Sequence, residues 1–282
     1  MTRKPPTRPR RRPPAPEVEP PEQEDEGVIS KVLYLDTETT GVDTKTCHPV
    51  EVALLLTTYK GKERHAEEKL DVIVKPPEPC SFEAMAVHHI THKMVEDKPT
   101  LLELAPQVMP LVEQADFVVA HNAPFDMEIL ERTAAYAFIK DEKQRFTINT
   151  LDTLRLAHHM WNDLPSYKLQ VLRYRFGLDD RDDLQELAKS DPHRAMFDTL
   201  LLRLLVEWLW LTGDQFETVE QMVTLSHKPY TVGVFPFGKH FGTKVEDVVK
   251  NDPSYVLWCL SQDWLATERP DLRWTLEKLY QA

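Results

Sequence analysis

Cysteine is scarce in this chain. Its 282 residues carry three, Cys47, Cys80 and Cys259, scattered, odd in number and without a C-x-x-C pair. That excludes a disulfide framework and gives no zinc pattern, so they read as reduced thiols. Long apolar runs are also lacking. No stretch approaches the roughly 18 residues of a membrane-spanning helix, and the N-terminus has no apolar core of a signal peptide, so neither is expected. The expectation is an intracellular, cytoplasmic protein with no membrane partner. There is no excess of positive charge either: 34 Lys and Arg stand against 46 Asp and Glu, a formal net charge of −12. Residues 1–27 hold six basic residues followed by six acidic ones and sum to zero, so the whole deficit belongs to the remainder. An acidic body argues against extended nonspecific nucleic-acid binding. A polyanionic substrate would have to be held locally, through metals and a few basic residues.

Residues 1–27 are proline-rich, without aromatics and divided into charge blocks, which predicts a disordered tail. Strand-like runs then follow closely, "KVLYLDTE", "VEVALLLTTY" and "EKLDVIVK", as in an antiparallel meander. Helical patterns come next in "SFEAMAVHHITHKMV" and "KPTLLELAPQVMPLVEQA", then a short buried strand in "DFVVAH" and a helix in "NAPFDMEILERTAAYAF". "LDTLRLAHHMW" and "SYKLQVLRYRFGL" are amphipathic, and "DPHRAMFDTLLLRLLVEWLWL" is a long apolar helix with Asp191 as cap and Pro192 in its first turn. Strands first, then strand and helices in alternation, predict an α/β fold with a mixed sheet covered by helices over 28–213. A linker helix is expected over 214–229. Residues 230–282 read as a small α+β module, with hairpin character in "YTVGVFPFGKHFGT", a helix restarting at Asp252 and Pro253, and Trp258, Trp264 and Trp274 as a miniature core.

The chemistry concentrates in carboxylates. In "LYLDTETTG", Asp36 and Glu38 sit two apart and share one face of a strand. At about 4 Å and an effective dielectric near 20 they repel by roughly 4 kcal/mol. Asp126 lies one turn into the helix of "AHNAPFDMEIL", and Asp198 on the apolar helix of "HRAMFDTLLL". If these elements pack together, four carboxylates converge, tolerable only if their pKa values rise or divalent cations bind. Oxygen ligands without His or Cys favour Mg²⁺ or Mn²⁺. His193 precedes Asp198 by five positions, roughly 140° around the helix, so it cannot share the ligand stripe. It suits a general base acting on a metal-activated water.

The three stretches "LDTETTG", "AHNAPFD" and "HRAMFD" resemble, in order, the motifs of the DEDDh family of 3′-to-5′ exonucleases. "AMAVHHITHKMVEDKP" is similar to that family's V-H-x-I-T segment, with His89 where many members have glycine. "FPFGKHFGTKVEDVVKNDPSYVLWCL" resembles the module appended to exodeoxyribonuclease X. The resemblance implies a ribonuclease H-like fold and two-metal phosphodiester hydrolysis with two Mg²⁺ or Mn²⁺ ions. It implies Asp36, Glu38 and Asp198 as ligands of one ion, Asp36 bridging to a second that Asp126 completes, and His193 as general base. Thr39, Thr40 and Gly41 would border the terminal nucleotide, and Asn122 and Phe125 would shape or support its pocket. Val42 and Asp43 stand where relatives carry residues that wedge into duplex ends. The implied substrate is a single-stranded or frayed DNA 3′ end, released as nucleoside 5′-monophosphates in repair or degradation. RNA trimming, a polymerase-associated proofreading role and an end-binding scaffold stay open. His65, His88, His89 and His92 form no zinc pattern, His158 and His159 read as helix surface, and Trp208 and Trp210 as packing. In "FGKHFG", Lys239, His240 and Lys244 beside Phe237 and Phe241 fit either a nucleic-acid contact or a structural hairpin.

Overall fold

A computed structural model describes residues 29–133, 149–178, 194–212 and 215–281. The expected tail, the helix start at Asp191 and Pro192, His193, and residues 134–138 lie outside these. Five strands form one mixed sheet in the order β3-β2-β1-β4-β5: β1 (Ile29–Thr39), β2 (Pro49–Lys60), β3 (Glu63–Ile73), β4 (Phe117–Ala120) and β5 (Asn149–Asp152). The first three are the antiparallel meander, while β4 pairs parallel to β1 and β5 parallel to β4. β2 is buried over almost its whole length, as befits a strand covered on both faces. The charged β3 forms the edge, a composition that discourages pairing with another chain.

Side-chain alternation on β1 decides where the chemistry stands. Leu33 and Leu35 enter a core with Val108, Leu111 and Val112 of α3 (Ala105–Gln114). Val32 and Tyr34 enter the opposite core, with Leu201 and Leu205 of the long helix α7 (Ala195–Thr212). Even-numbered residues of β1 therefore face α7. Among the described residues, the other helices of this body are α1 (Phe82–His88), α2 (His92–Val95), α4 (Ala123–Thr133), α5 (Thr153–Met160) and α6 (Leu169–Arg175). "LDTLRLAHHMW", expected as one amphipathic segment, is divided: its first two residues finish β5, and Asp152 caps α5 by accepting the Leu154 N–H at 2.9 Å. His158 is no simple surface residue, for its ring stacks between Tyr167 and Tyr230 at 3.6 and 4.3 Å. Trp210 is buried, and Trp208 stacks on Phe176.

The helix expected as a linker, α8 (Val219–Ser226), packs Val219, Met222 and Val223 into the α7-side core. Beyond it, α9 (Val245–Asn251), α10 (Pro253–Leu260), α11 (Asp263–Glu268) and α12 (Pro270–Gln281) build a second body. Among the described residues, its strand character is one bridge, Val234 to Lys244. Its core is Phe235, Val245, Val248, Val256, Cys259, Leu265, Leu272 and Leu276, with Trp264 packed alongside. Trp258 is 49% exposed, and Trp274 lies under the Lys278 ammonium, so the three tryptophans do not form that core. Phe235 and small or aliphatic side chains of the four helices do. In "FGKHFG", Gly238 has φ +65°, and a Cβ there would meet the Tyr255 hydroxyl at 2.6 Å. Lys239 and His240 both reach the Asp252 carboxylate, which also caps α10. These contacts fit the structural reading for Lys239 and His240. No helix among the described residues is long and apolar enough to cross a membrane.

Candidate active site

Asp36 and Glu38 lie two and four residues beyond Tyr34 on the face of β1 that meets α7. Asp198 lies in the first turn of α7. One carboxylate oxygen from each lies within 4.8 Å of the others. At that spacing and an effective dielectric near 20, each charged pair repels by about 3–4 kcal/mol. Burial and this repulsion both disfavour the charged forms. Burial pushes the Asp36 carboxyl well above its ordinary range, reinforced by Asp198, Asp126 and Glu38. Burial and then Asp198 push Glu38 up to about 8. Asp126 approaches from α4 and is not part of this triplet. It is buried, accepts the Thr37 hydroxyl at 2.6 Å, and is raised to about 7 by burial against the pull of that hydrogen bond. Near neutral pH the cluster either takes up protons or binds a hard divalent cation. A donor set of carboxylate oxygens alone fits Mg²⁺ or Mn²⁺.

The turn that delivers Asp126 is built from "AHN". Asn122 adopts φ +72°, and its N–H donates to the Asp152 carboxylate at 3.1 Å, the same oxygen that caps α5. His121 bridges the Thr153 hydroxyl at 2.9 Å and the Tyr167 carbonyl at 2.8 Å, and burial lowers its pKa to about 4. It is a neutral strut. Asp198 is held from α6, where the Gln170 amide donates to its Oδ1 and Arg173 donates to Gln170 at 3.3 Å. The contacts that Asp152 and Gln170 make beside the site carry no sequence signal, because Asn122 and Asp198 lie 30 and 28 positions away from them.

Beside Glu38 opens a cleft of about 750 Å³, lined by Thr39, Thr40, Gly41 and Phe125 and by residues of α1. Asn122 does not line it. The Thr39 hydroxyl donates to the Gly41 carbonyl at 2.6 Å, and Thr40 Oγ1 accepts the His48 N–H at 2.9 Å, so both hydroxyls shape the loop. Val42, 91% exposed, and Asp43 stand on the rim. His88 also lines the cleft. Its Nδ1 accepts the Ile90 N–H at 2.9 Å, and burial lowers its pKa, which leaves the proton on Nε2. That buried nitrogen is directed at the Thr39 backbone without closing a full hydrogen bond. The V-H-x-I-T segment was the signal for it.

A family model described as exonuclease matches residues 33–204, spanning every element that supplies these carboxylates. The chain belongs to this exonuclease family, and it is a 3′-to-5′ exonuclease with an acidic site of the divalent-metal kind. A second model, described as exodeoxyribonuclease X-like C-terminal, matches 235–263. The chain is 27% identical over 236 residues to exodeoxyribonuclease 10 of Escherichia coli (strain K12), covering 84% of this chain and 96% of that protein. It is 29% identical over 197 residues to DNA polymerase III subunit epsilon of Haemophilus influenzae, 66% of this chain and 69% of the relative. E. coli exonuclease I in complex with a dA16 oligonucleotide shares the fold at a TM-score of 0.52 and 18% identity, over 64% of this chain and 41% of that one.

Proposed function

We propose that this exonuclease removes nucleoside 5′-monophosphates from single-stranded or frayed DNA 3′ ends, with two Mg²⁺ or Mn²⁺ ions held by Asp36, Glu38, Asp126 and Asp198. The observation that carries the reading is the convergence of Asp36, Glu38 and Asp198 within 4.8 Å beside a cleft of nucleotide size. The choice of DNA is supported by the relatives named exodeoxyribonuclease 10 and DNA polymerase III subunit epsilon. Bound divalent cations supply activation of water and neutralisation of charge on the phosphodiester. Asp36, half-buried and central among the other carboxylates, would serve both ion sites. Asp126, oriented by Thr37, completes the second. His193 accepts the proton of the attacking water. Phe125 and the loop of Thr39, Thr40 and Gly41 border the terminal nucleoside, with the His88 Nε2–H directed at the Thr39 backbone of that loop, while Asn122 serves through the turn it makes.

The test is digestion of 5′-labelled and 3′-labelled DNA and RNA, single-stranded and duplex, with Mg²⁺ or with chelator. The expected result is a 3′-to-5′ ladder on single-stranded DNA that chelator abolishes. Equal or faster cutting of matched RNA would replace the DNA reading, since the 2′-hydroxyl is the discriminating group. Asp126→Ala is expected to abolish hydrolysis while leaving a folded protein. Normal digestion by that variant would sink the mechanism. His193→Ala is expected to slow turnover by roughly 10² to 10⁴, the usual worth of a general base, and an unchanged pH–rate profile would remove it from that role.

A further inference from the structure

Beside the ligand carboxylates stands another that the site's chemistry does not use. Glu51 of β2 is fully buried and lies directly opposite Glu38 in the β1–β2 ladder. Directly opposed residues share a face with Cβ atoms about 4.5–5.5 Å apart, so Glu51 points to the α7 side as Glu38 does. Yet it is absent from the triplet of converging oxygens. A buried carboxylate without compensation costs several kcal/mol. Its oxygens are in fact both engaged elsewhere: Oε1 accepts from the Arg194 guanidinium, through Nε at 2.7 Å and through Nη2, and Oε2 accepts the Ala195 N–H at 3.0 Å. These groups are the start of α7. The Ala195 N–H is one of the amides a helix leaves unpaired at its N-terminus, where negative charge is favoured. The Arg194 carbonyl in turn accepts the N–H groups of Phe197 and Asp198, at 2.8 and 3.2 Å. One hydrogen-bonded turn therefore separates the Glu51 carboxylate from Asp198.

We propose that Glu51 is a positioning residue for the metal site: by holding Arg194 and Ala195 it fixes the first turn of α7 and so the place of Asp198 among the ligands. The inference rests on the metal-dependent reading above. Gln170 holds the Asp198 side chain from α6, and Glu51 holds the backbone beneath it from β2. Partners one step removed from a ligand are typically worth 10–100-fold in metal affinity.

The test is calorimetric titration of the full chain with Mn²⁺, without substrate, alongside circular dichroism as a check on folding. Glu51→Ala is expected to weaken Mn²⁺ binding by about 10–100-fold. Glu51→Gln keeps the shape and one acceptor, which serves either the guanidinium or the amide, and is expected to lie between wild type and Glu51→Ala. In an Asp198→Ala background, Glu51→Gln should cause no further loss. Wild-type Mn²⁺ affinity in folded Glu51→Gln, or an equal loss with and without Asp198, overturns the positioning role. A wild-type chain that takes up no Mn²⁺ overturns the metal reading itself, and this inference with it.

Discussion

His89 closes α1 in the left-handed region, with φ +59°, and its backbone N–H returns to the Met85 carbonyl at 2.9 Å. That geometry explains why glycine is common at the corresponding place in the related motif: a side chain there costs about 1–2 kcal/mol, and glycine avoids it. The imidazole is exposed, so little is lost by removing it. His89→Gly is expected to stabilise the protein by about 0.5–1 kcal/mol, less than the full strain because glycine also loosens the unfolded chain. Urea unfolding measures it, and a loss of stability would mean that the ring makes a contact of its own. Residues of the site differ in how far the sequence displays them. Asp36 and Glu38 are legible because a strand's period of two puts them on one face, and Asp126 and Asp198 because each interrupts an apolar helix pattern. Glu51 reads as an ordinary strand residue, because what commits it is Arg194, 143 positions away.

At the scale of elements, α5 is the piece on which two bodies are mounted. Its cap Asp152 steadies the Asn122 turn, while Arg155 in its first turn reaches the Asp271 carboxylate of α12 at 2.7 and 3.0 Å and the Ser226 and Lys228 carbonyls at 2.7 and 2.9 Å. Asp271 also accepts the Tyr230 N–H at 3.2 Å. The meander, β4 and the long helix are all legible from hydrophobic periodicity. β5 is not, because four residues run into a helix without a turn between them, and the docking of α8 depends on core partners that no local pattern reveals. The clamp makes a definite prediction. Asp271→Ala leaves Arg155, partly screened from water, without its counter-ion, and hydrogen bonds to charged groups are worth about 1.5–3 kcal/mol. A loss of about 2–3 kcal/mol is expected, falling on the C-terminal body first. Limited proteolysis should then cut within 227–232 in the variant while wild type resists. Equal resistance would show that the aromatic contacts of His158 and Tyr230 suffice.

The whole molecule carries a net charge of −12, and its most concentrated acidity is gathered, half-buried, where the end of β1 meets α7. Folding without metal therefore has a cost that depends on pH, and the sign follows from the direction of the shifts. Glu38, ordinarily near 4.5, is raised to about 8, and Asp126, ordinarily near 3.8, to about 7. Each group binds its proton more tightly when folded, so its contribution is fully present below the unfolded pKa and is lost as pH rises through the folded one. Between those limits each group can change stability by up to about 1.4 kcal/mol per pH unit. A divalent cation replaces the protons, and its stabilisation grows as they leave. The melting temperature in chelator is thus expected to fall between about pH 5 and pH 8, and the gap between saturating Mg²⁺ and chelator to widen over the same interval. Glu38→Gln removes one of these protons and should flatten the chelator curve while weakening the response to Mg²⁺. A gap that stays constant or narrows with rising pH would mean that the four carboxylates do not share their charge with a bound ion.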